Sequence, residues 1–288
     1  MKRIVFLSGK GGTGKTSLAG AFARLLDRKI LVDCDVDAAN LHLLLAATIR
    51  EQGTYSGAQI AVKNVDLCTA CGACQPVCRF RAIDEGYTID PFMCEGCGAC
   101  VTVCPTAAIS LHPTDSGEWY TADTPQGPLA GAELFPGEET SGKLVTEVKK
   151  HADQLAASQE AEAEFQLIDG APGIGCPVIA SISGADAAVL VTEPTTSGKH
   201  DLERILGVLT HFKVPAFLVI NKADLCTEMS DALEEHARRS SVRVLGRIPY
   251  DSLVPQYLLK RKSPVDDPES PAGQAMRTVF AHFLEAVA

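Results

Sequence analysis

Short apolar runs alternate with longer stretches of helical spacing along most of this chain. RIVFL (3–7), ILV (30–32), FQLI (165–168), AAVLV (187–191), AFLVI (216–220) and VRVLGRI (242–248) read as strands. Near-continuous apolar runs of this length suit strands buried on both faces of a parallel sheet. Helical spacing covers residues 16–27, 145–164, 198–211 and 228–239. A last helix over 272–286 carries Met276, Val279, Phe280, Phe283 and Leu284, and it lacks the basic face of a membrane-surface helix. The alternation predicts an α/β fold: a mostly parallel sheet with helices on both faces.

The stretch from about residue 44 to 112 breaks this rhythm and is itself a repeat. Cys68, Cys71, Cys74 and Cys78 recur as Cys94, Cys97, Cys100 and Cys104, and Ala82-Ile83 matches Ala108-Ile109 at the same offset. After it, GEWYTADTPQGPLAGAEL reads as two strands about a Pro-Gln-Gly turn, a hairpin that carries the chain back. Thr140 or Ser141 then stands where a helix cap is expected. The pattern divides the chain into a main domain, 1–62 and 113–288, and an inserted α+β domain, 63–112.

Composition narrows the function. A net charge of −10 disfavours a nonspecific grip on nucleic acid. The N-terminus carries no signal-peptide pattern and no apolar run is long enough to span a bilayer, so a cytoplasmic protein without membrane insertion is expected. Eleven cysteines in a reducing compartment point to metal binding rather than disulfides.

Between the first strand and first helix, SGKGGTGKTS satisfies G-x-x-x-x-G-K-[ST]. Gly9, Gly11, Gly12, Thr13 and Gly14 let backbone N–H groups curl around phosphate oxygens, and the helix N-terminus at Ser17 adds favourable partial charge. Lys15 is placed to reach the β- and γ-phosphates and the Thr16 hydroxyl to bind Mg²⁺.

Lys10, early in KGGTGKT, resembles the extra lysine of the deviant Walker A ATPases. That MinD/ParA-like group also includes the nitrogenase iron protein and the Mrp-type cluster carriers. The resemblance implies a slow, partner-stimulated ATPase in which Lys10 reaches across a dimer interface to the partner's nucleotide, much as an arginine finger does. It implies catalytic roles for Lys10, Lys15 and Asp35, the last in LVDCDVDAANL, with Asp33 and Asp37 as alternates. Asp169 in LIDGAPGIG is implied to hold Mg²⁺ through water, ahead of a switch loop that hinges at Gly173 or Gly175. Asn221 and Asp224 in NKAD, with Pro249 in IPYD, are implied to meet the base; ATP is favoured, and Asp224 keeps GTP open.

Each cysteine half reads C-x2-C-x2-C-x3-C. This spacing wraps three thiolates around one corner of a cuboidal iron–sulfur core, and the other half supplies the fourth ligand. Cys68, Cys71, Cys74 and Cys104 are assigned to one [4Fe-4S] cluster, and Cys94, Cys97, Cys100 and Cys78 to a second. The stretch resembles a bacterial two-cluster ferredoxin, with one departure: Pro105 follows Cys104, but Arg79 follows Cys78. Two zinc sites are the competing reading, since C-x2-C pairs also suit tetrahedral zinc. Cys34 and Cys226 are expected to pack, and Cys176 either packs or shares an interfacial metal in a symmetric dimer.

Three functions follow as expectations: nucleotide-gated electron transfer, iron–sulfur cluster assembly or delivery, and a redox-sensing regulatory or positioning ATPase. Eight ligands complete two clusters within one chain, which suits electron traffic best. The expected partners are a second copy or a paralogous chain, and a redox or iron–sulfur protein.

Overall fold

The computed structural model describes residues 1–138, 141–158 and 162–287. In chain order they form β1 (Lys2–Leu7), α1 (Lys15–Leu25), β2 (Lys29–Asp33), α2 (Leu41–Leu44), β3 (Thr48–Tyr55) and β4 (Ala58–Lys63). Next come α3 (Ala99–Val103), β5 (Ile109–Thr114), β6 (Gly117–Thr124), β7 (Gly127–Leu134), α4 (Ser141–Ala157) and β8 (Phe165–Asp169). The remainder is α5 (Cys176–Ile182), β9 (Ala187–Thr192), α6 (Thr196–Phe212), β10 (Ala216–Asn221), α7 (Thr227–Arg239), β11 (Arg243–Ile248), α8 (Val254–Leu259) and α9 (Pro271–Val287). Two compact units result: Met1–Gly53 with Trp119–Glu133 and Ser141–Ala288, and Thr54–Glu118 with Leu134–Thr140.

The described strands of the main sheet run in the order β11-β10-β9-β1-β8-β2-β7-β6-β3. Parallel register pairs Val5 with Ile168 and Ala188, and Val32 with Ile168 and Ala130. The strand order reverses around β1. At such a point the loops leaving the carboxyl ends of neighbouring strands diverge and leave a crevice for a ligand. Here those loops follow β1, β2 and β8, and they carry SGKGGTGKTS, LVDCDVDAANL and LIDGAPGIG.

On one face α1 buries Leu18, Ala19, Ala21, Phe22 and Ala23. Phe22 is fully buried and meets Phe6, Phe280 and Phe283 edge-on, with ring centroids 5.1, 5.1 and 5.2 Å away. The first sheet strand, the phosphate-loop helix and α9 thus share one aromatic node, and α9 adds buried Met276 and Val279.

The expected helix over 145–164 forms instead as Ser141–Ala157. Ser141 is its first helical residue, while Thr140 and residues 159–161 lie outside the described residues. By Glu164 the chain is extended, its N–H bonded to Arg28 O at 2.7 Å as it enters β8. β3 carries no apolar alternation, because TIREQGTY is an edge strand with most residues exposed. The hairpin expected over 117–134 forms, turning at Pro125-Gln126.

In the second unit β4 and β5 pair antiparallel, from Ala58 with Thr114 to Lys63 with Ile109. Its core contains Ala61, Ile83, Cys100 and Ile109, with Cys74, Cys78, Cys94 and Cys104 packed against it. The repeated Ala-Ile pairs, 82-83 and 108-109, are all buried, which accounts for a likeness that extends beyond the cysteines.

Phe22→Ala is expected to cost about 3–5 kcal/mol, as large aromatic truncations in packed cores do. Urea unfolding of the variant against wild type measures it.

Candidate functional site

The phosphate loop is shaped by glycines at two exacting places. Gly14 caps α1 with φ 93°, and a Cβ there would lie 2.3 Å from Asn221 Nδ2. At Gly9 a Cβ would lie 2.1 Å from Asp201 Cβ on α6. Asn221 donates from Nδ2 to Thr13 O at 2.7 Å, so β10 braces the loop. Gly173 N donates to Ser8 O at 2.8 Å, fastening the loop after β8 to the end of β1.

Lys15 is almost fully buried between two carboxylates, 2.7 Å from Asp169 Oδ1 and 3.3 Å from Asp35 Oδ2. Thr16 Oγ1 donates to Asp169 Oδ2 at 2.6 Å. Lys15, Thr16, Asp35 and Asp169 therefore meet, although they come from three different strand ends. Asp33 is buried and accepts from Asp35 N (3.2 Å) and Leu41 N (3.0 Å), which shapes the turn, whereas Asp37 is exposed. A cavity of about 1060 Å³ opens over the loop, lined by Gly11, Gly12, Gly14, Lys15, Thr16, Ser17, Asp35, Asn221 and Pro249 among others. Gly9, Lys10, Thr13, Asp169 and Asp224 lie outside that lining. Asp224 Oδ1 instead accepts from Tyr250 N at 2.6 Å and holds the loop in which Pro249 sits.

Sequence reasoning missed Glu193 and Lys222. Lys10 Nζ lies 3.3 Å from Glu193 Oε2, and Lys222 Nζ pairs with the other carboxylate oxygen. The available signal was an acidic residue two positions after the fully apolar run 187–191, at the end of a buried strand where a charge needs a partner. A second omission is His42, whose Nδ1 is 3.2 Å from Tyr120 Oη.

In the second unit, Cys68, Cys71, Cys74 and Cys104 line one small cavity, and Cys78, Cys94, Cys97 and Cys100 line another. Each cavity therefore takes three cysteines from one half of the repeat and one from the other. Ala61 N lies 3.3 Å from Cys94 Sγ and Ala108 N lies 3.2 Å from Cys104 Sγ, so backbone donors face the sulfurs. Among the described residues no three His, Cys, Asp or Glu side chains gather to hold a single metal ion. Tetrahedral zinc needs four donors within about 2.3 Å of one point, whereas a cuboidal cluster takes one thiolate at each of four irons. The donor set around each cavity is four thiols, a set that can hold either group.

The remaining cysteines differ from one another. Burial pushes the Cys34 thiol up to about 12, as befits an inert packing residue. Cys226, expected to pack, is exposed, because the chain turns outward through a 3₁₀ turn at Ala223–Leu225 before α7. Cys176 is exposed at the first residue of α5, and a Cβ on Gly142 would approach its Cβ to 3.0 Å.

A family model of the CobQ/CobB/MinD/ParA nucleotide-binding domain matches residues 4–265. The chain belongs to this family. An uncharacterized protein of Methanocaldococcus jannaschii is 32% identical over 99% of this chain and 97% of its own length. The septum site-determining protein MinD of Bacillus subtilis is 25% identical, over 98% of this chain and 88% of its own. Among solved structures, MinD of Pyrococcus horikoshii in complex with Mg-ADP superposes with a TM-score of 0.61 at 19% identity, covering 100% and 97% of the two chains. The fold is that of a MinD/ParA-type P-loop nucleotide-binding ATPase. Among the described residues no helix is long and apolar enough to cross a membrane.

In this MinD/ParA-type site, three acids crowd one lysine, and their protonation follows. Burial, with the neighbouring charge of Asp169 adding to it, raises Asp33 from 3.8 to about 7, against the pull of Lys15 and two backbone N–H groups. Burial also raises Asp35, against Lys15. For Lys15, burial favours the neutral amine, but Asp169 and Asp35 outweigh it and hold the ammonium above its ordinary range. A carboxyl raised on folding contributes stability that is complete below its unfolded value and is lost as pH rises to the folded value. Asp33 therefore costs stability progressively between 3.8 and about 7. Asp33→Asn should match wild type near about pH 4 and exceed it by more than about 1 kcal/mol near pH 8, read from urea midpoints across that range.

Proposed function

We propose that this chain is a nucleotide-gated iron–sulfur protein, in which Mg·ATP bound and hydrolysed between two copies controls one-electron transfer through two [4Fe-4S] clusters. The observation that carries the reading is the division of the eight repeat cysteines into two cavities, each completed by one cysteine from the opposite half. Bound there, the clusters supply one-electron storage at low potential.

The first unit supplies the gate. A phosphate entering the loop competes with Asp35 and Asp169 for Lys15, and Thr16 with the released carboxylates would hold Mg²⁺, which would supply charge neutralisation at the phosphates. The segment that follows Asp35 is fastened at Leu41 by Asp33 and at His42 by Tyr120. β3, which leads the chain out of this unit, begins four residues after α2 ends, and β6, which bears Tyr120, brings it back. α5, which follows the Asp169 loop, is held at its far end: Lys149 on α4 donates to Ala180 O (2.9 Å), Ser181 O (3.2 Å) and Ser183 O. The segment after Asp35 is thus tied to β6, and α5 to α4. Driving such an element from one percent to ninety-nine percent populated takes about 5.5 kcal/mol of differential binding.

ATP is the favoured nucleotide. Reading guanine requires a carboxylate that faces the base, whereas Asp224 lies outside the cavity lining and holds Tyr250 N. Cluster assembly or delivery is the second reading, favoured by the exposed thiols of Cys71, Cys97 and Cys176.

Anaerobically purified protein should contain about eight irons and eight sulfides per chain, as two four-iron cores require. Its midpoint potential or reduction rate should change when Mg·ATP is added. Zinc in place of iron, or identical titrations with and without nucleotide, contradicts the proposal. Lys10→Ala should lower hydrolysis by at least about ten-fold while monomer affinity for ADP stays within about two-fold; full activity of that variant removes the cross-subunit role of Lys10.

A further inference from the structure

Glu193 emerges from β9 beside the phosphate loop with its side chain 13% exposed. It faces two lysines from different loops. Lys10 Nζ is 3.3 Å from Oε2 and 3.5 Å from Ser197 Oγ on the first turn of α6. Lys222 Nζ holds Oε1 and also reaches Gly12 O at 3.4 Å. Thr195 caps α6, accepting from Gly198 N at 3.0 Å, so the turn that presents Glu193 and Ser197 is fixed. One carboxylate thereby joins the phosphate loop, the β9–α6 turn and the turn after β10.

A fixed anion beside a phosphate site is costly, since it repels the ligand unless it is neutralised. Glu193 lies outside the cavity lining, and nothing in phosphate binding requires it. What it does is hold Lys10. We infer that Glu193 is a positioning residue that parks Lys10 on its own subunit and yields it when a second copy presents a nucleotide phosphate. The inference rests on the cross-subunit reading of Lys10 given above.

Sharing makes the release inexpensive. Breaking a buried pair is costly when it strands an uncompensated charge. Here Lys222 stays on Glu193 when Lys10 departs, so the carboxylate never stands alone. Lys10 is 38% exposed and Lys222 32%, and Lys222 keeps a further bond to Gly12 O. Burial works to raise the Glu193 carboxyl, but Lys222 and then Lys10 outweigh it and hold it below the ordinary range, so the pairing persists at neutral pH.

The test is a double-mutant cycle on the full cluster-loaded chain: wild type, Glu193→Gln, Lys10→Ala and the double variant, with Glu193→Asp as a milder change that keeps the charge. Light scattering against protein concentration in Mg·ATPγS gives the dimerisation midpoint, and hydrolysis is followed in parallel. Glu193→Gln should dimerise at about five-fold lower concentration and hydrolyse faster at limiting protein, with Glu193→Asp between it and wild type. In the Lys10→Ala background the same change should have no effect, which a merely structural role of Glu193 would not produce. An unchanged or higher midpoint for Glu193→Gln overturns the inference, as does an equal gain in the Lys10→Ala background, which would assign the effect to Lys222. Wild-type behaviour of Lys10→Ala alone would instead remove the cross-subunit reading beneath it.

Discussion

A buried ammonium between two carboxylates organises this protein. Lys15 stands at the end of the phosphate loop, yet its partners, Asp169 and Asp35, come from β8 and from the segment after β2. Leaving either charge in place without the other would cost about 3–5 kcal/mol, so the three strand ends are obliged to meet. The parallel register of β1, β8 and β2 makes the meeting possible, because it brings their carboxyl ends level. A phosphate is the natural competitor for Lys15, and any ligand that takes the lysine must also resettle the aspartates.

Those aspartates lie where they can be felt elsewhere. Along the chain, the segment after Asp35 runs through α2 into β3, and α5, which follows Asp169, is held at its far end by Lys149. Glu193 adds a third point beside the phosphate loop, where it pairs with Lys10.

Much of this was legible in the residues. Buried parallel strands announce themselves as unbroken apolar runs, and the phosphate loop is constrained by backbone geometry that only Gly14 and Gly9 satisfy. The partition of the cysteines was read from the repeat, in which the fourth cysteine of each half follows after three residues rather than two and lines the other half's cavity. β3 was illegible because an exposed edge strand such as TIREQGTY needs no apolar face. Glu193 was illegible for another reason: its role depends on lysines 183 residues before it and 29 after it, a relation that spacing does not encode.

If nucleotide bound at Lys15 reaches the cysteine unit, hydrogen–deuterium exchange of the anaerobically purified protein, with and without Mg·ATP, should change through residues 33–44, along β3 and β6, and within residues 54–118. Protection confined to residues 9–17 and 169–176 would contradict such coupling.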